Sequence, residues 1–260
     1  MAVQKKLNVL ISNDDGINSP GIYALVQQIR KIAHVTVVAP DKQQSAVGHA
    51  ITVGYPLRAS KFYKNGIFFG HAVEGTPADA VKLAVRSILR EKPDMLISGI
   101  NHGSNTAISI IYSGTVSAAT EGTILGIPSV AVSLTTHERA DFTYAAKFTR
   151  KLALHLSKKS LPEGTLLNVN VPPVPEEAIR GILVTRQGKS KWDDTFDVRR
   201  DPNNKEYFWL AGDLLQLDQD EDIDQVAILK NYISITPIHY DLTDYSMIET
   251  MKHWNLQKLT

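Results

Sequence analysis

The sequence predicts an α/β fold: a three-layer, Rossmann-like arrangement with a mostly parallel sheet between two layers of helices. Short, continuously apolar segments alternate with segments of helical periodicity as far as residue 171. Strands that are apolar throughout are typical of parallel sheets covered on both faces. From residue 181 the pattern changes to strands and long polar segments, which predicts an extended β-hairpin arm and a C-terminal helix.

The predicted elements follow one another in a regular order. The predicted strands are 7–11, 35–39, 51–53, 67–69, 95–98, 128–133 and 166–171, and the predicted helices are 20–32, 77–89, 115–125 and 142–158. Ser19 and Thr76 stand where helix caps are expected, each directly before a proline. We expect a single domain over residues 1–260, with an α/β core at 1–180 and the arm and C-terminal segment at 181–260.

Composition limits the classes of function. The 260 residues carry 28 lysines and arginines against 27 aspartates and glutamates, so a nucleic acid polymer or an anionic membrane is not an expected partner. The chain has no cysteine, which excludes disulfides and cysteine-ligated zinc. The N-terminal apolar run is too short for a signal peptide and no segment approaches a membrane span, so we expect a cytoplasmic protein.

Several nucleotide-binding and hydrolase motifs are absent from the sequence. There is no Gly-x-Gly pair, no Gly-x-Ser-x-Gly elbow and no His-Glu-x-x-His. The segment Gly188-Lys189-Ser190 lacks an upstream glycine at the P-loop spacing. Hydride transfer, P-loop NTPase and serine hydrolase chemistry therefore lose support.

Two adjacent carboxylates end the first predicted strand. Asp14 and Asp15 follow the run NVLISN, and Gly16 allows the chain to turn sharply there. Two carboxylates that converge in such a turn suit a hard divalent cation such as Mg²⁺ or Mn²⁺. A turn with solvated carboxylates explains the same stretch equally well.

Three further polar clusters favour a site. Ser45 follows the second strand, and Asn101 and Asn105 follow the strand at 95–98. Ligands of open α/β sheets bind at the carboxyl ends of strands, where these residues and the acidic pair are expected to meet. The turn Ser113-Gly114-Thr115 enters a helix and offers an anion site, although an ordinary cap by Ser113 is an equal alternative.

Other charged and titratable residues are less informative. Of the eight histidines, we expect only His49, His102 and His239 near the site. The acidic run at 218–224 is more typical of a solvated loop.

The ordered set of motifs resembles the SurE family of survival-protein nucleotidases. The matching segments are ISNDDGINSPG, APDKQQSAVGHAIT, GTPADAVKLA, PDMLISGINHGSN, YSGTVSAATEG, GIPSVAVS and LNVNVP, followed more weakly by ITPIHYDLTDY. The resemblance implies a metal-dependent phosphatase of nucleoside monophosphates, a 5′-nucleotidase that could also act on 3′-monophosphates. It implies one divalent cation per subunit, Mg²⁺ or Mn²⁺.

The resemblance also implies roles for individual residues. By position, the metal ligands are Asp14, Asp15, Ser45 and Asn101; the phosphate-holding turn is Ser113, Gly114 and Thr115; and Asn13 and Asn105 are expected to contact the substrate. The chain departs from the family pattern at Ala46, where glycine is expected.

The expected chemistry is direct attack on phosphorus by a metal-activated water, without a covalent enzyme intermediate. Asp14 and Asp15 are the predicted catalytic residues, and either Asp15 or His102 accepts the proton. The family further implies subunit exchange through the C-terminal region. We therefore expect a homodimer or homotetramer formed through residues 181–260.

Three other classes of protein share part of this pattern. A receiver domain needs an acceptor aspartate near Ser98 or Gly99, and neither is acidic. A haloacid-dehalogenase-type phosphatase, with an aspartyl nucleophile, places its second aspartate two residues after the first, whereas Asp14 and Asp15 are adjacent. A non-catalytic nucleotide-binding module is the third alternative.

Overall fold

A computed structural model describes residues 6–136, 138 and 140–259. The strands are β1 (Leu7–Ser12), β2 (Ala33–Pro40), β3 (Ala59–Lys64), β4 (Ile67–Val73), β5 (Met95–His102), β6 (Ser129–Leu134), β7 (Thr165–Val171), β8 (Gly181–Val184), β9 (Lys191–Arg200), β10 (Glu206–Leu215) and β11 (Tyr232–His239). The helices are α1 (Pro20–Ile29), α2 (Pro77–Leu83), α3 (Ser109–Tyr112), α4 (Gly114–Ile124), α5 (Thr143–Leu156), α6 (Asp224–Leu229) and α7 (Tyr245–Lys252).

The central sheet has nine strands in the order β3-β4-β2-β1-β5-β6-β7-β11-β8. The strands from β4 to β7 in this order are all parallel to their neighbours, and β8 is parallel to β11. Within this sheet, β3 pairs antiparallel with β4, and β11 pairs antiparallel with β7. The predicted fold class, a mostly parallel sheet in an α/β fold, is confirmed.

Helices cover both faces of this sheet. Val9 and Ile11 of β1 pack into one hydrophobic cluster together with α1 and α5, whereas Leu10 packs into a second cluster with α2 and α4. Successive side chains of a strand point to opposite faces, so the continuous apolar run of β1 is what burial on both faces requires. The three layers place the carboxyl ends of β1, β2 and β5 at one edge, where the candidate site lies.

The predicted strand at 51–53 is wrong, because this segment is an irregular loop. The backbone N–H and the hydroxyl of Thr52 are donated to the carboxylate of Asp79 instead of to a neighbouring strand. The antiparallel partner of β4 is β3, and the two are joined at Asn65-Gly66, where both residues have positive φ, 53° and 78°. This is the backbone that tight β-hairpin turns require.

The first two predicted helices differ in detail from the observed ones. Thr76 caps α2 in a capping box with Asp79, as expected, but the α-helix ends at Leu83 and continues as a π-helical turn over Ala84–Ile88. Ser19 makes no side-chain cap to α1; its hydroxyl accepts a hydrogen bond from Asn13 Nδ2 at 2.8 Å.

The predicted hairpin arm is formed by β9 and β10, which pair antiparallel with each other in a separate two-stranded sheet. Its residues are exposed except for the half-buried Gly212. Alternation places six apolar side chains on one face: Trp192, Phe196, Val198, Phe208, Leu210 and Leu214. The C-terminal helix α7 has no buried residue. Among the described residues, no helix is long and apolar enough to span a membrane.

Candidate metal and phosphate site

The two adjacent carboxylates lie directly beyond β1. Asp14 is 6% exposed, and its Oδ1 accepts a hydrogen bond from the hydroxyl of Thr115 in the first turn of α4. Asp15 is partly buried, and its Oδ2 accepts the backbone N–H of His102 at 3.1 Å. The acidic pair therefore contacts both the beginning of α4 and the end of β5.

Burial raises the pKa of Asp14 to about 6. The Thr115 hydrogen bond opposes this shift, and the charge of Asp15 adds to it. Burial also raises the pKa of Asp15, against the lowering effect of His102. Among the residues that the structure describes, no lysine or arginine forms an ion pair with either carboxylate. A cation between the carboxylates would offset the free-energy cost of burying their negative charges.

Only glycine fits at the first position of α4. A Cβ on Gly114 would lie 2.7 Å from Cβ and 3.0 Å from Oδ2 of Asp14, and 3.1 Å from Cγ of Pro77. Without a side chain, the helix backbone approaches the carboxylate closely. The N-terminal end of α4, where the first amides have no intrahelical acceptor, is thus adjacent to Asp14.

Ser113 is the N-cap of α4. Its Oγ accepts the backbone N–H of Val116 at 3.1 Å. The ordinary helix cap by Ser113, which was the alternative to an anion site at this turn, is therefore present. The hydroxyl hydrogen of Ser113 can still be donated to a ligand, because the cap uses this oxygen as an acceptor.

The loop after β2 lies against Asp14 through its backbone. Gln44 donates its N–H to the carbonyl of Asp14 at 2.7 Å, and the next residue, Ser45, is exposed. Ser45 Oγ accepts a hydrogen bond from Gln43 Nε2 at 2.8 Å. Further along the loop, Gly48 donates its N–H to the carbonyl of Tyr112 at 3.1 Å. The loop therefore connects the end of β1 with the residue before Ser113.

Asn101 lies within β5, which extends to His102 and is longer than predicted. The β5–β6 pairing shifts register between Ser98 and Asn101. Asn101 Nδ2 donates to the carbonyl of Gly103 at 2.9 Å, which leaves Oδ1 as a potential ligand. His102 Nε2 lies 2.6 Å from the carbonyl of Glu138 and must therefore carry a proton, which leaves Nδ1 as the acceptor.

The two remaining candidate residues are buried. Asn13 Nδ2 donates to Gly16 O and Ser19 Oγ, whereas its buried Oδ1 has no hydrogen-bond partner within the described part of the chain. Asn105 belongs to a polar network beneath the site: its side chain donates to Ser133, and its backbone exchanges hydrogen bonds with Asn170. The structure thus places Asn105 in the support of the site, and its expected contact with substrate remains a prediction.

A family model for survival protein SurE matches residues 9–194. This chain belongs to the SurE family. The resemblance inferred from the motifs is confirmed over most of the chain.

Individual SurE proteins are similar over nearly the whole chain. A 5′-nucleotidase SurE from Chlorobium phaeobacteroides is 50% identical over 254 residues, 98% of each chain. A 5′-nucleotidase SurE from Syntrophobacter fumaroxidans is 48% identical over 96% of this chain and 100% of its own. The crystal structure of SurE protein from Aquifex aeolicus matches with a TM-score of 0.83 at 41% identity, covering 95% of this chain and 99% of that one.

The backbone explains why glycine is expected in place of Ala46 in the SurE pattern. Ala46 has a φ of 56°, in the left-handed region that glycine occupies readily and other residues at a cost. Gly16, on the facing turn, has a φ of 90°, and a Cβ there would lie 3.0 Å from the carbonyl carbon of Lys42.

Sequence reasoning missed two buried carboxylates around the SurE site. Asp79 and Glu121 are 2% and 3% exposed and bind the loop that follows Ser45. The spacing Thr76-Pro-Ala-Asp79 is a capping-box signal, so the sequence could have placed Asp79 at a helix start. No local pattern predicts that Asp79 also binds Thr52, because these residues are 27 positions apart.

Proposed function

We propose that this SurE protein is a divalent-metal-dependent phosphatase that hydrolyses nucleoside monophosphates to nucleoside and phosphate, that is, a 5′-nucleotidase. The relatives that match nearly the full length of the chain carry the name 5′-nucleotidase SurE. Within the structure, the contact of Asp14 with Gly114 and Thr115 carries the proposal. It joins an acidic pair suited to a cation with a helix N-terminus suited to a phosphate.

The residues present fit a hard divalent cation. Asp14 and Asp15 supply carboxylate oxygens, Asn101 an amide oxygen and Ser45 a hydroxyl, all of the ligand type that Mg²⁺ and Mn²⁺ prefer. The raised pKa of Asp14 also fits, because its charge is buried without a cationic partner among the described side chains. A divalent cation held there supplies charge neutralisation of phosphoryl oxygens and acidifies a coordinated water.

The chain's own residues perform the remaining work. The hydroxyl of Ser113 and the first-turn amides of α4 would bind phosphoryl oxygens, favoured by the positive end of the helix dipole. The carboxylate of Asp15 and Nδ1 of His102 are the two candidate proton acceptors. Attack by water needs no side-chain nucleophile. This agrees with the contacts of Asp14, because its Oδ1 already accepts a hydrogen bond from Thr115.

Phosphate release from a panel of 5′- and 3′-monophosphates, measured with Mg²⁺, with Mn²⁺ and with chelator, tests this function. Asp14→Asn should lose about a hundredfold or more in activity, since even outer-shell partners of metals cost 10–100-fold. Asp94→Asn makes the same charge change at the opposite end of β5 and should retain activity. Metal-independent turnover would contradict the assigned site.

Two outcomes distinguish the alternative functions. A trapped phosphoaspartate during turnover would replace water attack by the aspartyl-nucleophile mechanism. Nucleotide binding without phosphate release under all metal conditions would indicate a non-catalytic module. The homo-oligomer and the cytoplasmic location expected from the sequence remain predictions.

A further inference from the structure

The loop that begins at Ser45 is held by Asp79. Asp79 Oδ1 accepts the backbone N–H of Thr52 at 2.9 Å, and Oδ2 accepts the Thr52 hydroxyl at 2.7 Å and the backbone N–H of Thr76 at 2.9 Å. The capping box of α2 accounts only for the bond from Thr76. The two bonds from Thr52 are additional and bind the loop to the helix.

Glu121 provides a second anchor for the same loop. This buried carboxylate of α4 accepts a hydrogen bond from Lys82 Nζ at 2.6 Å and lies 3.1 Å from His49 Nε2. The hydroxyl of Thr76 adds a bond to the carbonyl of Ala50 at 2.7 Å. Residues 49, 50 and 52 are therefore each bound by polar contacts to α2, α4 or the N-cap of α2.

Along the chain, Ser45 lies between the contact of the loop with Asp14 and the anchors at His49 and Thr52. On its N-terminal side, the Gln44 N–H binds the carbonyl of Asp14. On its C-terminal side, the loop has no regular secondary structure, and Ile51 and Val53 are exposed, so these two side chains add little apolar packing. The polar anchors, together with the backbone bond from Gly48 to Tyr112, therefore hold the path of the loop past Ser45.

Both carboxylates keep their charge in these contacts. Burial raises the pKa of Asp79, but the hydrogen bonds from Thr52 and Thr76 outweigh this effect and leave it below the usual 3.8. Burial likewise raises the pKa of Glu121, and His49 and Lys82 together lower it below 4.5. Ionised acceptors make stronger hydrogen bonds than neutral ones, which favours these carboxylates as anchors of an irregular loop.

We propose that Asp79 and Glu121 are positioning residues, which act through Thr52 and His49 to hold the loop so that Ser45 is presented to the cation beside Asp14. The inference rests on the proposed function for the role of Ser45. It adds that cation affinity depends on a carboxylate of α2 and one of α4, neither of which is a proposed ligand. Both carboxylates bind the loop on the C-terminal side of Ser45, at His49 and Thr52.

Thr52→Val and Thr52→Ser form a matched pair that tests the proposal. Valine removes the hydroxyl bond to Asp79 but leaves the shape, the backbone bond and the capping box, whereas serine keeps the hydroxyl. Calorimetric titration of the substrate-free protein with Mn²⁺ should show affinity about tenfold weaker in Thr52→Val, as for outer-shell partners of metal ligands. Thr52→Ser should remain within about twofold of wild type.

A thermal midpoint measured for each variant separates positioning from a loss of folding. If Thr52→Val lowers the midpoint but binds Mn²⁺ as the wild type does, the contact is merely structural and the proposal is overturned. Asp79→Asn gives the stronger perturbation, because an amide NH₂ cannot accept a hydrogen bond. If the NH₂ takes the place of Oδ2 it faces two donors, and if it takes the place of Oδ1 it faces one. It should weaken Mn²⁺ binding at least as much as Thr52→Val.

Amide hydrogen exchange tests the anchoring without any metal. Exchange over residues 44–53 should be faster in Thr52→Val than in Thr52→Ser, and equal exchange would contradict the anchoring. If the wild type binds no Mn²⁺, the proposed function fails, and the exchange experiment still decides whether Asp79 holds the loop.

Discussion

In the metal-free fold, burial of the ionised Asp14 carboxylate is unfavourable for stability. Its pKa is raised to about 6, so its ionised form is disfavoured by folding. The stability contributed by its neutral form is present below the ordinary value of 3.8 and is lost as the pH rises through about 6. At neutral pH the metal-free fold therefore retains a buried charge whose desolvation outweighs its hydrogen bond from Thr115, and the proposed cation would offset that cost.

Replacing Ala46 by glycine should relieve backbone strain. An L-residue in the left-handed region costs about 1–2 kcal/mol, and the added freedom of glycine in the unfolded chain costs about 0.4–1 kcal/mol. In urea unfolding, the free energy of unfolding of Ala46→Gly should lie between that of the wild type and about 1.6 kcal/mol above it. Ala50→Gly, on the same loop but without a positive φ, should be destabilising. Equal losses in both variants would contradict the role assigned to φ.

The Glu121 anchor should give a pH-dependent contribution to stability. Because the folded pKa of Glu121 lies below 4.5, its contribution is present above 4.5 and is lost as the pH falls through the folded pKa. Glu121→Gln should lower the free energy of unfolding by about 1.5–3 kcal/mol at pH 7, a typical value for hydrogen bonds to charged groups. The difference in the free energy of unfolding between Glu121→Gln and the wild type should become smaller below pH 4.5.

Glu91→Gln is the control for this pH dependence, since Glu91 is exposed and near the far edge of β5. Urea unfolding at several pH values should give a difference near zero for this variant throughout. A Glu121→Gln deficit that stayed constant down to pH 3 would mean that the carboxylate charge is not what stabilises the loop.

At the scale of elements, strands β1, β2, β5, β6 and β7 were predictable because each is largely apolar and mostly buried. Where an observed strand end differs from the predicted one, it does so by one to four residues. The same reasoning failed at 51–53, where a side chain distant in sequence competes for the backbone. Elements set by local periodicity were found, and those set by long-range hydrogen bonds were not.

The acidic run at 218–224 shows the same limit of sequence reasoning. Asp224 is 0% exposed and accepts the backbone N–H groups of Ala107, Gly188 and Gln225. Asp218 accepts those of Lys189 and Ser190. The expected solvated loop is therefore wrong for these two residues, since they hold the base of the arm. Partners up to 117 positions away leave no local signal in the sequence.

The apolar face of the arm predicts the self-association that the sequence analysis expected. Phe196 and Leu210 are cross-strand neighbours on this face and are both exposed. Light scattering of the wild type should give at least a dimer mass, because large exposed apolar patches are uncommon on monomers. Replacing the pair by Phe196→Glu with Leu210→Lys should lower that mass while preserving a favourable cross-strand pair.

The opposite face of the arm supplies a matched control. Thr195→Glu with Ala211→Lys introduces the same charges at another cross-strand pair. This double variant should keep the mass of the wild type. A monomeric wild type, or equal masses for both double variants, would contradict an interface through the apolar face.

For the whole molecule, the parallel sheet determines where the site lies. The ends of β1 and β5, the loop after β2 and the start of α4 meet because carboxyl ends of parallel strands share one edge. The sequence predicted this convergence for Asp14, Asp15 and Thr115, whose contacts the structure shows. It could not predict which oxygens stay free, because that depends on hydrogen bonds such as Asn101 to Gly103.

The central claim is a divalent cation bound by the acidic pair beside the N-terminus of α4. The most direct measurement is anomalous diffraction from crystals of this protein grown with Mn²⁺ and phosphate. We expect a manganese peak within about 2.5 Å of oxygens of Asp14 and Asp15, with Asn101 and Ser45 as further ligands and phosphate against Ser113. A manganese ion bound elsewhere, with this pair free of metal in a crystal of active enzyme, would contradict it.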